Sequence, residues 1–196
     1  AAGYSEDEIK AAFRKKQEMT VFTYHGDIDT LMSPLDSIRY YKSFLRSGFM
    51  SMDPKTGAVK AYVGGLDYTH FMYDMVSLGR RQVGSTIKPF LYRLAMSNGF
   101  QPCDLAPNRQ QTYMVAGRPW TPRNANHSRA GQMVPLSWGL AQSSNWVSAY
   151  LMSKLNPQQF VQMLRDFGIN SPDIHASMSL CLGPCEVSVS EMVSAY

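Results

Sequence analysis

Arg80-Arg81-Gln82-Val83-Gly84-Ser85-Thr86-Ile87-Lys88-Pro89-Phe90 is the stretch on which the reading of the whole chain turns. Inside it Ser85 and Lys88 stand three apart, an S-x-x-K pattern. On a helix, positions i and i+3 share a face, so the hydroxyl and the amine come side by side. A serine is a poor nucleophile until a neighbouring base takes its proton, and a neutral lysine amine can do so. Such a lysine needs its pKa lowered by burial or by other cationic groups. Gly84 leaves Ser85 accessible at a helix N-terminus, where free N–H groups favour developing negative charge. With 21 serines and 8 lysines in the chain, chance alone supplies about one such pair, so the spacing decides nothing by itself. Pro89 adds a condition. Proline disfavours helix in the residue before it, so Ser85 and Lys88 must sit in the first turn, where a missing N–H does little harm.

Outward from this stretch, Ile87, Phe90, Leu91, Leu94 and Ala95 fall on one helical face closed by Asn98-Gly99. Upstream, Phe49–Met52 and Ala58–Val63 flank Asp53-Pro54-Lys55-Thr56-Gly57 and read as a β-hairpin stopped by Gly64-Gly65. Residues 66–84 read as irregular. Residues 107–124, rich in Pro, Asn and Gln, read as a loop or a short hairpin around Ala116-Gly117. Helical patterns return at Leu136–Ala141 and Trp146–Leu155, with Ser143-Ser144-Asn145, an S-x-N, between them. A loop there presents a second hydroxyl and a carboxamide to a substrate held at Ser85, although a plain helix cap by Ser144 gives the same letters. Asn156-Pro157 opens a further helix with Phe160, Met163, Leu164 and Phe167 on its face and Gly168 as its stop, and Glu186–Tyr196 reads as the start of another, cut off mid-pattern.

The first 48 residues have a different texture. Ser5-Glu6-Asp7-Glu8 is a capping box opening a charged helix to about Lys16. Thr20–Tyr24 and Ile28–Met32 flank a His25-Gly26-Asp27 turn, and Ser33-Pro34 starts a helix with Leu35, Ile38, Tyr41 and Leu45 on one face, ending at Gly48. Residues 1–48 are expected to be a small connecting element that could not bury much alone, set apart from residues 49–196. Strands followed by helices give an α+β class.

Composition sets outer bounds. The 196 residues are 44% apolar and 17% charged, which excludes a disordered tail. Nineteen basic against 15 acidic residues leave +4, spread along the chain, and this does not point to nucleic acid. No apolar run approaches the ~20 residues of a membrane helix. Cys181 and Cys185, in CLGPC, read as small buried residues at a Gly-Pro turn, and His25, His70, His127 and His175 show no ligand spacing, so no metal is expected.

The flanks carry a resemblance that the short motifs do not. Residues 80–90 resemble the RQ-x-GS-x-x-KPF signature of class A, high-molecular-weight penicillin-binding proteins, the bifunctional glycosyltransferase/transpeptidases of bacterial cell-wall synthesis. Met52–Gly57 with Ala61–Gly65 resembles the hairpin that opens their transpeptidase domain, and Leu140–Asn145 resembles their LA-x-S-x-N segment. Leu182-Gly183, Glu186-Val187 and Glu191–Tyr196 resemble the run that follows. Lys55-Thr56-Gly57 spells K-T-G, the third motif of penicillin-recognising serine enzymes, but it precedes the other two and lies in a turn. It is read as turn chemistry, and the true K-T-G strand is expected beyond Tyr196.

The resemblance implies a penicillin-recognising (β-lactamase-like) transpeptidase fold, incomplete here without its C-terminal strands, with residues 1–48 as the linker before the transpeptidase domain and residues 49–196 as its N-terminal and helical part. It implies Ser85 as nucleophile on a D-Ala–D-Ala bond, Lys88 as base, Ser143 as proton carrier to the departing D-Ala, and Asn145 as a hydrogen-bond partner of the substrate backbone. No metal or cofactor is implied. Partners are peptidoglycan stem peptides and β-lactam antibiotics, at the periplasmic face of the bacterial cytoplasmic membrane, anchored only through parts of a parent outside this chain. The K-T-G strand supplies one oxyanion N–H in this family, and losing one such donor costs ~10²–10³ in rate, so the 196 residues alone are expected to acylate poorly. The alternatives are a β-lactamase-type serine hydrolase and a non-catalytic β-lactam-binding sensor.

Overall fold

The computed structural model describes Gly3 and residues 5–196. The chain forms two compact units. One comprises the described residues up to Ser47 with Gly65–Tyr73, the other Gly48–Gly64 with Asp74–Tyr196.

In the first unit, α1 (Glu6–Arg14) starts at the capping box, with the Ser5 hydroxyl accepting from Glu8 N–H and the Glu8 carboxylate accepting from Ser5 N–H. Strands β1 (Gln17–Val21) and β2 (Ile28–Met32) pair antiparallel, so β1 begins three residues earlier than its apolar pattern suggests. Helix α2 (Pro34–Ser43) is capped by Ser33. It stops at Phe44, short of Gly48, and Leu45, expected on its apolar face, is 86% exposed. The reason lies in Phe44. Its backbone turns extended, and its ring packs edge-on against Phe22, Tyr40 and Phe71 at centroid distances of 5.1 to 5.7 Å. Such aromatic pairs add about 0.5–1.5 kcal/mol each beyond buried area, enough to outweigh one more helical turn. Phe71, 4% exposed, brings residues 65–73 into this unit.

The second unit opens with the hairpin of β3 (Phe49–Met52) and β4 (Val59–Val63). Asp53 Oδ1 accepts from the backbone N–H of Lys55 (2.9 Å) and Thr56 (3.0 Å), and Gly57 has φ +70°. The letters K-T-G here form a turn. Strand β5 (Arg80–Gln82) leads into a tight 3-10 turn, Gly84–Ile87, and then α3 (Lys88–Ser97). Strand β6 (Leu105–Pro107) pairs with β9 (Met133–Pro135), and between them β7 (Tyr113–Val115) and β8 (Arg118–Trp120) form a hairpin whose Ala116 and Gly117 both have positive φ. That is the geometry a two-residue connection needs to match strand twist.

Helices α4 (Leu136–Ala141), α5 (Asn145–Met152) and α6 (Pro157–Asp166) follow. Phe90, Leu91, Leu94 and Ala95 of α3 form one buried cluster with Val147, Ala149 and Leu151 of α5 and Phe160 and Leu164 of α6. Full burial of each large apolar side chain contributes about 1.5–3 kcal/mol, which makes this helical cluster the rigid base of the unit.

The tail departs from expectation. Glu186–Ser188 is not helix but a strand, β10, antiparallel to β5, and only Val189–Ala195 form helix α7. Ser188 and Glu191 make a capping box at the start of α7, so the helix cannot extend backwards, and Val187 is buried in the strand instead. The Arg80 guanidinium meets the Glu191 carboxylate at 3.0 Å, tying β5 to the same cap.

Candidate active site

Gly84 adopts φ +55°, which turns the chain out of β5 and lets the 3-10 turn begin. Ser85 sits exposed on that turn, and Lys88 is the first residue of α3, its N–H bonded to the Ser85 carbonyl. Pro89 occupies the first turn of the helix, where its missing N–H is harmless. The condition set by the sequence is met. Lys88 is only 1% exposed, a large side chain fully enclosed in the fold.

The Lys88 ammonium has three donors, and each finds an acceptor 55 or 57 residues away. Nζ lies 2.6 Å from the Ser143 carbonyl, 3.0 Å from Ser143 Oγ and 2.7 Å from Asn145 Oδ1. Two Ser143 oxygens reach one nitrogen because Ser143 adopts φ +51° between α4 and α5. That left-handed conformation costs a non-glycine residue about 1–2 kcal/mol, and the surrounding structure holds it there. Burial pulls the Lys88 pKa down to about 8. Burial pushes the Cys181 thiol up to about 12, with the Lys88 charge pulling the other way. Cys181 and Cys185 are buried free thiols.

Ser85, Ser143 and Asn145 line one polar cavity of about 190 Å³ with Asn124, Trp138 and Gln142. The Ser85 hydroxyl makes no hydrogen bond to a described residue, so Lys88 is committed to Ser143 and Asn145 rather than to Ser85 in this state. Three of the four residues picked from the sequence, Ser85, Ser143 and Asn145, thus line one cavity, and the fourth, Lys88, lies buried behind it, bonded to Ser143 and Asn145. A larger apolar cleft of about 520 Å³, lined by Val83, Val187, Met192 and Tyr196 among others, contains none of them. Sequence reasoning missed Asn124, Trp138 and Arg123, whose carbonyl accepts from Asn145 Nδ2 at 2.7 Å. Arg123 and Asn124 lie in a loop that spacing does not address and gave no signal beyond its richness in Asn and Pro, and Trp138 lies within α4, where it reads as an ordinary apolar helix residue.

Residues 47–178 match the family model of the penicillin binding protein transpeptidase domain, and residues 1–45 that of the penicillin-binding protein middle domain. The chain belongs to the penicillin-binding proteins. It is 35% identical over 156 residues to penicillin-binding protein 2D of Bacillus subtilis, covering 79% of this chain and 22% of that one. It is 34% identical over 155 residues to penicillin-binding protein 1A of Neisseria meningitidis, covering 78% and 19% respectively. The crystal structure of penicillin-binding protein 1A from Haemophilus influenzae superposes with a TM-score of 0.72 at 28% identity, over 77% of this chain and 22% of that one. The chain therefore spans about a fifth of the length of these penicillin-binding proteins, and its α+β architecture is that of their transpeptidase domain. Among the described residues no helix is long and apolar enough to cross a membrane.

Proposed function

We propose that this chain carries the acylating centre of a D-Ala–D-Ala transpeptidase that cross-links peptidoglycan. Residues 49–196 hold the centre and residues 1–48 connect it to what precedes. Ser85 Oγ attacks the carbonyl of the D-Ala–D-Ala bond and forms an acyl-serine, its proton passing to the Lys88 amine. Ser143 relays a proton to the nitrogen of the departing D-Ala. The second N–H of the Asn145 carboxamide, not used by Arg123, holds the substrate backbone. An amine of a neighbouring stem peptide then takes the acyl group, freeing Ser85, and β-lactams acylate the same oxygen. The parent protein acts at the periplasmic face of the membrane, with its anchor and a glycosyltransferase outside this chain.

The observation that carries this reading is a lysine 1% exposed, with its pKa drawn to about 8, held on two residues of the cavity into which Ser85 opens. Burial makes the neutral amine accessible near neutral pH, which is what a serine nucleophile lacks. Hydrogen bonds of unliganded sites commonly tighten only when substrate arrives, and here that tightening is the approach of Lys88 to Ser85. The test is mass spectrometry of the protein at its full natural length after benzylpenicillin. A covalent adduct is expected on the peptide containing Ser85 and is expected to vanish in Ser85→Ala. An adduct that persists in that variant overturns the assignment, and rapid turnover of the antibiotic favours a hydrolase instead.

A further inference from the structure

Three consecutive residues, Pro122, Arg123 and Asn124, each turn an oxygen onto the opening of α5. The Pro122 carbonyl accepts from Trp146 Nε1 (3.1 Å), and the Arg123 carbonyl accepts from Asn145 Nδ2 (2.7 Å). Asn124 Oδ1 accepts from the backbone N–H of Asn145 (2.7 Å) and of Trp146 (3.4 Å). Asn124 Nδ2 donates to Ser144 Oγ at 3.2 Å. Ser144 in turn donates to Oδ1 of Asn108, which is fully buried and anchored through Nδ2 on the Ser128 and Arg129 carbonyls.

An ordinary helix cap does not require this. Ser144 Oγ already accepts from Val147 N–H, as an N-cap side chain does. The added bonds immobilise the residues on either side of Ser144. Asn145 is gripped at its backbone N–H by Asn124 and at its carboxamide N–H by Arg123, so its Oδ1 is left facing Lys88. Ser143, one residue before the gripped Ser144, is kept in the left-handed turn that aims its carbonyl and hydroxyl at the same amine.

We propose that Asn124 is a positioning residue for the Lys88–Ser143–Asn145 cluster, acting through Ser144 and Asn145. This rests on the acyl-serine reading above. If Ser85→Ala still forms the adduct, that reading fails and the role of Asn124 is not what has been tested. With the adduct at Ser85 established, the experiment is the pH profile of the β-lactam acylation rate, measured on the full-length protein and two variants. Asn124→Leu keeps the volume and removes the acceptor. It is expected to slow acylation at least ~10-fold, since displacing a catalytic constellation by about 1 Å can cost ~10²-fold. Its pH inflection is expected to move down by about half a unit, because the Lys88 ammonium loses well-placed acceptors.

Asn124→Asp keeps both bonds to the α5 N–H groups, so its plateau rate should stay within ~3-fold of the parent, while the added carboxylate moves the inflection upward. A merely structural cap would lower the melting temperature of Asn124→Leu and leave the inflection where it was. Asn124→Leu acylating within ~3-fold of the parent, or slowed with its inflection unmoved, overturns the proposal. If Asn124→Leu does not fold, Asn124→Asp decides alone. An upward inflection with the plateau kept supports the proposal, and an unmoved inflection or a lost plateau sinks it.

Discussion

Lys88 is the most enclosed charge among the described residues and, in the proposed reaction, the group that gives up that charge. Removal from water disfavours its ammonium and brings its pKa down to about 8, while Ser143 and Asn145 offer that ammonium three acceptors. At pH 7 about a tenth of the molecules then hold a neutral amine. If that amine is the base, the second-order rate of β-lactam acylation should climb nearly tenfold per pH unit up to about 8 and level off above it. A rate constant flat between pH 6 and 9 would remove Lys88 from the role. The same shift has a consequence for stability. The unfolded chain, with its lysine near 10.5, binds the extra proton between about 8 and 10.5, so the Lys88 contribution to folding stability grows as pH rises through that window. Ser85 and Lys88 were legible through the flanking residues 80–90, because S-x-x-K spacing alone is what chance supplies. The contact of Lys88 with Ser143 was legible only through the resemblance, since no local rule links positions 55 apart.

At the scale of elements, Ser85 is placed by a strand and a turn that come from opposite ends of the second unit. Val83 N–H donates to the Cys185 carbonyl (2.9 Å) and Gly84 N–H to the Gly183 carbonyl (3.0 Å), extending the β5–β10 pairing up to Ser85 itself. Gly183 has φ +65°, and a Cβ there would stand 2.3 Å from the Gly84 carbonyl oxygen. Gly183→Ala must therefore both adopt the left-handed region and push backbone away. These cost about 1–2 kcal/mol and about 1–3 kcal/mol respectively, so urea unfolding should show a loss of about 2–5 kcal/mol together with slower penicillin labelling of Ser85. A variant within about 0.5 kcal/mol of the parent would show that this approach is not a constraint.

Pairings of this kind explain what sequence patterns did not disclose. The β3–β4 and β7–β8 hairpins announce themselves through Asp-Pro-x-x-Gly and Ala-Gly turns, and α3 and α6 through their apolar spacing. Strands β5 and β10 are three residues each and about a hundred residues apart, so neither a turn nor an alternation marks them, and β10 was absorbed into the helix behind it. Strands β6 and β9, also three residues each, start 28 residues apart and are likewise marked by neither a turn nor an alternation.

For the molecule as a whole, the notable feature is that residues 65–73 leave the second unit's sequence and join the first. Phe71 is one anchor and His70 is the other. His70 Nδ1 lies 2.8 Å from Asp67 Oδ1 and Nε2 lies 3.2 Å from Asp27 Oδ1, with the Phe22 ring against its face. Both ring nitrogens face carboxylates, and only an imidazolium can donate from both, since a neutral ring turns one lone pair towards negative charge. The hydrogen bond that His70 donates to Asp67 raises the His70 pKa above 6.5, against some desolvation and with help from the Asp27 and Asp67 charges. A raised folded-state pKa contributes stability that is complete below about 6.5 and disappears as pH rises through the folded value. Amide hydrogen exchange, corrected for the intrinsic effect of pH, should therefore show His70 and Phe71, whose N–H groups bond to Asp67, losing protection between pH 6 and pH 9. The amides of α3 and α6, in the other unit, should keep theirs. In His70→Gln the exchange of Phe71 should be fast at both pH values, because a carboxamide brings no positive charge to hold the two aspartates together. Protection at Phe71 that is the same at pH 6 and pH 9 in the unsubstituted chain would mean that the aromatic cluster alone holds the segment and that the His70 proton is dispensable to it.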